Sequence, residues 1–141
     1  MPGIFVGIDG SDSSQRALEW AVKHAAIEGV PLTVLAVHQV LTGFWTGEPI
    51  TDLQDRTEQE KTLLAAEAVV ESTIALGDAR PPAVNVRAVS GHPAEALIDA
   101  SSEADLVVVG KRGSGGFASL LLGSVTSQVV NHSACPVVVV R

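Results

Sequence analysis

The chain has 141 residues, 46% of them apolar, and nine basic against sixteen acidic side chains leave a formal net charge of −7. That length suits one domain, residues 1–141, able to bury roughly two thirds of its unfolded surface. The acidic balance argues against non-specific binding to nucleic acid or an anionic membrane, and a lone cysteine, Cys135, excludes an intrachain disulfide and any CxxC metal or redox pair. No window approaches 18 apolar residues, and the first apolar run is too short, without a basic flank, for a signal peptide. A cytoplasmic protein that neither spans nor coats a membrane is the expectation.

Ile4 to Ile8 is a nearly all-apolar run closed by Asp9-Gly10-Ser11, the pattern of a strand covered on both faces. Asp12-x-x-Gln15 resembles a capping box, and Asp or Ser here opens a helix. Ala17, Leu18, Ala21, Val22, Ala25 and Ala26 then repeat at helical spacing until Gly29 and Pro31. Leu32 to Val40 returns to strand character, completing a βαβ unit. Leu41 to Thr51 lacks periodicity and reads as a loop; its Phe44-Trp45 pair either folds over the sheet edge or meets a ligand or partner. A long helix follows from about Asp52 to Leu76, with Leu63, Ala66, Val70 and Ile74 on one face, before Gly77 and Pro81-Pro82.

Ala83 to Ser90 alternates apolar and polar residues, which predicts a strand near a sheet edge. Gly91-His92-Pro93 leads into a short helix to Ser102, with Pro93 near its first position. A fourth strand spans Asp105 to Val109, a helix follows Gly123, and Pro136 to Val140 forms a last apolar strand. Five strands alternating with four helices make an α/β three-layer sandwich. That last strand is an unprotected edge in a monomer, and pairing with a second copy would cover it. A proline at Val138 is the test the sequence suggests.

The densest chemistry lies between the fourth strand and the last helix. Gly110, Lys111, Arg112 and Gly113 are followed, after nine residues, by Gly123, Ser124, Val125 and Thr126. Glycines let main-chain N–H groups approach a ligand, and a helix N-terminus adds unpaired N–H groups and partial positive charge, so the pattern suits a phosphate. The hydroxyls of Ser124 and Thr126 are further partners for phosphate oxygens. It is not a P-loop, because no Gly-x-x-x-x-Gly-Lys-Ser/Thr run occurs, and the turn after the first strand lacks the dinucleotide Gly-x-Gly-x-x-Gly. Lys111 and Arg112 are either solvated charges or phosphate partners. Asp9 either tightens its turn or sits beside a nucleoside or a magnesium ion, while Gly10 permits close approach. His24, His38, His92 and His132 show no ligand spacing, Cys135 reads as a small packed side chain, and no Gly-x-Ser-x-Gly elbow or paired-carboxylate site stands out.

The spaced set Gly110-x-x-Gly113, nine residues, Gly123-Ser124 resembles the nucleotide-binding signature of the universal stress protein family, in its ATP-binding branch. The resemblance runs from Val6-Gly7-Ile8-Asp9-Gly10-Ser11 through Gly91-x-Pro93 to Cys135-Pro136-Val137-Val138-Val139. It implies a Rossmann-like three-layer α/β/α sandwich with a five-stranded parallel sheet in the order 3-2-1-4-5. On that order Asp9-Gly10 and Gly110 to Gly116 face each other at the strand reversal, where open α/β sheets bind ligands. It further implies ATP, with Mg2+, as the ligand. The triphosphate would lie on the Gly113 and Gly123–Thr126 segments, the ribose near Gly110, the adenine against the backbone of Val37, and Asp9 in contact with the nucleotide. A homodimer through Pro136–Val140 is implied as well. A nucleotide-dependent regulatory protein is the first reading; a slow ATP hydrolase or autophosphorylating enzyme using the same loop, or a dimeric scaffold without nucleotide, are the alternatives.

Overall fold

The computed structural model describes residues 3–38, 52–111 and 123–141. The first strand, β1 (Ile4–Ile8), leads to helix α1 (Asp12–Glu28). Ser11, not Asp12, is the N-cap: its hydroxyl accepts from the Ser14 N–H at 3.2 Å. The capping-box reading of Asp12 and Gln15 fails because Gln15 reaches across to α2, donating from Nε2 to Thr73 Oγ1 at 2.9 Å. Gly29 closes α1 in the left-handed conformation, φ +69°, with its N–H returning to the Ala25 carbonyl.

Strand β2 (Leu32–His38) precedes α2 (Asp52–Leu76), which buries Ala66, Val70 and Thr73 on one face. The loop from Leu41 to Thr51, with Phe44 and Trp45, lies outside the described residues. Strand β3 (Val84–Ser90) and helix α3 (Pro93–Ser101, with Pro93 opening it) lead to β4 (Leu106–Gly110). Helix α4 (Ser124–His132) and β5 (Val137–Val140) complete the chain.

All five strands are parallel, in the order β3-β2-β1-β4-β5. Alternation along the strands divides the core in two. Ile4, Val6, Leu32, Val34 and Val108 pack with Leu18, Ala21 and Val22 of α1 and Val70 of α2. Phe5, Leu35, Val107 and Val109 pack on the opposite face with Leu97 of α3 and Val129 of α4. The expected alternation of β3 holds: Asn85 and Arg87 are exposed between half-buried neighbours, as suits an edge strand. Strand β5 forms the other edge, half-buried along its length. Among the described residues no helix is long and apolar enough to cross a membrane.

The order decides where a ligand can sit. From β1 the chain moves outward through β2 to β3, and α3 then carries it back past β1 to β4. The connections leaving β1 and β4 therefore diverge, opening a crevice at their carboxyl ends. The register shows it opening: β1 pairs with β2 as far as Ile8↔Ala36, but with β4 only as far as Val6↔Val108.

Candidate functional site

On the β1 side the crevice is walled by a tight hydrogen-bonded turn. Asp9 Oδ1 accepts from the Ser11 N–H at 2.9 Å and from the Ser11 hydroxyl at 2.5 Å. The carboxylate thus performs the turn-tightening role open to it, while remaining on the exposed surface. Gly10 has φ +86°, and a Cβ built there would meet nothing within 4 Å. Its backbone conformation, rather than crowding, calls for glycine. The resulting bend aims the first turn of α1 back over the end of β4.

On the β4 side Gly110 is required by contact. A Cβ there would stand 2.5 Å from Ser13 Oγ and 2.7 Å from both the carbonyl carbon and oxygen of Ser13. Ser13 was not singled out by sequence reasoning. Its only signal is the run of small residues Gly10-Ser11-Asp12-Ser13-Ser14, which lets the helix start lie flat on Gly110. Beyond Gly110 the two ends of the glycine-rich connection are tied together, Gly123 N–H donating to the Lys111 carbonyl at 2.9 Å. Lys111 N–H in turn donates to the Val140 carbonyl at 2.8 Å, fixing this hinge to β5. Arg112 and Gly113 lie outside the described residues.

Helix α4 starts beside that hinge. Its N-cap is Gly123, which has no side chain to satisfy the first-turn N–H groups, and Ser127 N–H already bonds the Gly123 carbonyl at 2.9 Å. The amides of Ser124, Val125 and Thr126 therefore carry the partial positive charge of a helix start with no side-chain acceptor from the cap. Ser124 is exposed and Val125 half-buried. Thr126 differs from its expected role: it is buried, and its hydroxyl donates to the Gly110 carbonyl at 2.7 Å.

Val37 lies one strand away, half-buried and paired with Val89 of β3. Its N–H closes the last β1–β2 pair, Ile8↔Ala36, on the Ile8 carbonyl, and its own carbonyl lies beyond that pairing at the crevice. Asp9, Gly10, Val37, Gly110, Lys111 and the α4 start thus gather at the carboxyl ends of three adjacent strands. Among the described residues no three His, Cys, Asp or Glu side chains cluster to hold a metal. Asp9 is a carboxylate that could join ligand phosphates in holding a magnesium ion there. Of the histidines, His24 stacks on Trp20 with ring centroids 3.6 Å apart, and His132 ends α4. Cys135 is half-buried against the core cluster that holds Val107 and Val129.

The universal stress protein family model matches residues 2–141. A universal stress protein of Mycobacterium tuberculosis is 35% identical over 140 residues, covering 99% of this chain and 48% of that protein. The chain thus spans about half the length of the mycobacterial relatives it matches first. Among solved structures, a universal stress protein from Lactobacillus plantarum superposes with a TM-score of 0.77 at 27% identity, over 99% of this chain and 97% of that one. A universal stress protein in complex with cAMP superposes with a TM-score of 0.67 at 26% identity, over 99% and 95%. With its family model matched across nearly every residue and its strand order shared with these neighbours, the chain belongs to the universal stress protein family.

Proposed function

We propose that this chain is an ATP-binding regulatory protein whose nucleotide occupies the crevice between the carboxyl ends of β1 and β4. The observation that carries the proposal is the start of α4: a helix capped by Gly123, whose first amides receive no side-chain acceptor from the cap, held beside Gly110 and Lys111 at the strand reversal. Such a place favours phosphate oxygens. The cAMP complex of a structural neighbour supports an adenine nucleotide.

In this reading the phosphates lie on the main chain of Gly113, Gly123, Ser124 and Val125, with the Ser124 hydroxyl and the cations Lys111 and Arg112 adding to them. The adenine meets the backbone of Val37, and Asp9 and Gly10 border the nucleoside. Mg2+ would join Asp9 to phosphate oxygens and neutralise part of their charge. Fast phosphoryl transfer needs a base or water-positioning group. No residue here is assigned that role, so binding rather than turnover is proposed, in a single cytoplasmic domain that pairs through β5 into a homodimer.

Mass spectrometry of freshly purified, undialysed protein, followed by calorimetric titration with MgATP, tests the proposal. Retained ATP or ADP, or saturable binding at one site per chain, is expected. No retained nucleotide together with no heat of binding at millimolar MgATP would overturn it.

A further inference from the structure

We propose that two buried hydroxyls, Ser14 on α1 and Thr126 on α4, hold the crevice open by taking over a pair of backbone groups that the sheet would otherwise join. The inference deepens the nucleotide reading and rests on it for its functional consequence. Val107 and Lys111 donate their N–H groups to Pro136 and Val140 of the β5 segment. Odd-numbered residues of β4 therefore face β5, and Leu106, Val108 and Gly110 face β1. The β1–β4 register ends at Val6↔Val108. Continued by two residues, it would set Ile8 opposite Gly110, and the Asp9 N–H would donate to the Gly110 carbonyl.

Each of those two groups instead has a hydroxyl partner. The Asp9 N–H donates to Ser14 Oγ at 3.2 Å, and the Gly110 carbonyl accepts from Thr126 Oγ1 at 2.7 Å. Ser14 is 6% exposed and Thr126 4%. The Ser14 hydroxyl donates onward to the Ser11 carbonyl at 3.0 Å, so as an acceptor it serves Asp9 without leaving its own proton unused. A parted ladder normally leaves a donor and an acceptor to be solvated or satisfied. Here the substitutes come from the first turns of the two helices that border the crevice. Thr126 is thereby a positioning residue. It fixes the start of α4 against β4, and it occupies a carbonyl oxygen whose partial negative charge would otherwise face the phosphates.

The test is a set of four variants read by calorimetry with MgATP and by urea unfolding: T126V, T126S, S14A and S14A/T126V. T126V removes the hydroxyl at constant shape and is expected to weaken ATP about tenfold, the scale of one hydrogen bond. T126S keeps the donor and is expected to bind within about twofold of wild type. In S14A/T126V the freed Asp9 N–H and Gly110 carbonyl can join each other. The double variant should then unfold at a urea concentration no lower than T126V, while binding ATP more weakly still. Affinity and stability separating in this way is not what loss of packing alone produces.

Wild-type affinity in T126V overturns the inference, as does failure of T126S to restore binding or affinity that tracks stability through all four proteins. If T126V does not fold, S14A reads the same parted ladder from its other side. The urea cycle needs no nucleotide. A wild-type chain that did not bind ATP would therefore sink the nucleotide reading, and the unfolding midpoints would still decide whether the two hydroxyls act as a pair.

Discussion

Replacing Gly110 by alanine tests whether the crevice depends on a bare main chain at the end of β4. The added Cβ would lie 2.7 Å from the carbonyl carbon and oxygen of Ser13, atoms that no rotamer change can move. Restoring an ordinary contact of about 3.5 Å requires the first turn of α1 to withdraw by about 0.8 Å. Overpacking of this kind costs about 1–3 kcal/mol. With a urea m-value of about 2 kcal/mol/M, a 2 kcal/mol loss lowers the unfolding midpoint by about 1 M. The displaced turn carries Ser11, Ser13 and Ser14, so ATP affinity should fall with stability. Ser13→Ala provides the control, because it removes only the 2.5 Å contact with Oγ and leaves the backbone clash. The G110A/S13A protein should be no more stable than G110A. Rescue by S13A, or a G110A midpoint within about 0.25 M of wild type, would refute the attribution to main-chain crowding.

Ser11→Ala removes the N-cap of α1 and the hydroxyl bonded to Asp9; a loss of about 1 kcal/mol, seen as an earlier urea midpoint, is expected, and S11G should recover most of it. Gly113→Val should abolish MgATP binding in calorimetry while leaving cooperative unfolding intact; unchanged affinity would place the phosphates elsewhere. For the β5 edge, the proline belongs at Val139 rather than Val138. Pro136 and Val140 direct their carbonyls at β4, so Val138 also faces β4 and Val139 faces outward. V139P removes an outward N–H and should shift sedimentation from dimer to monomer, whereas V138P breaks the ladder within the chain. A sedimentation coefficient unchanged by V139P would sink edge pairing.

How much of this was legible beforehand depends on whether a residue's partner is local. The apolar runs of β1, β4 and β5 and the face of α2 carrying Ala66 and Val70 followed from periodicity, because burial repeats with the backbone. Gly29 as a C-cap and Pro93 at a helix start followed from dihedral preferences of single residues. The site was legible only in part. Gly110 was recognised, but for approach to a ligand, whereas the structure also wedges it under Ser13. Thr126 read as a phosphate partner and instead turns inward to a carbonyl sixteen residues earlier. On α4 the apolar Val130 is 44% exposed, because Thr126 and Val129 face the core there.

The order of residues by itself determined the number and kind of elements, their approximate ends, and the clustering of glycines and cations after one strand. These depend on local dihedral freedom and on the repeat of apolar side chains. Only the tertiary structure decided where β1 and β4 part, which hydroxyls take up the opened pair, and which valine of the edge strand looks outward. Those depend on register between segments distant in sequence, where a shift of one residue exchanges every donor that faces a neighbour for one that faces away.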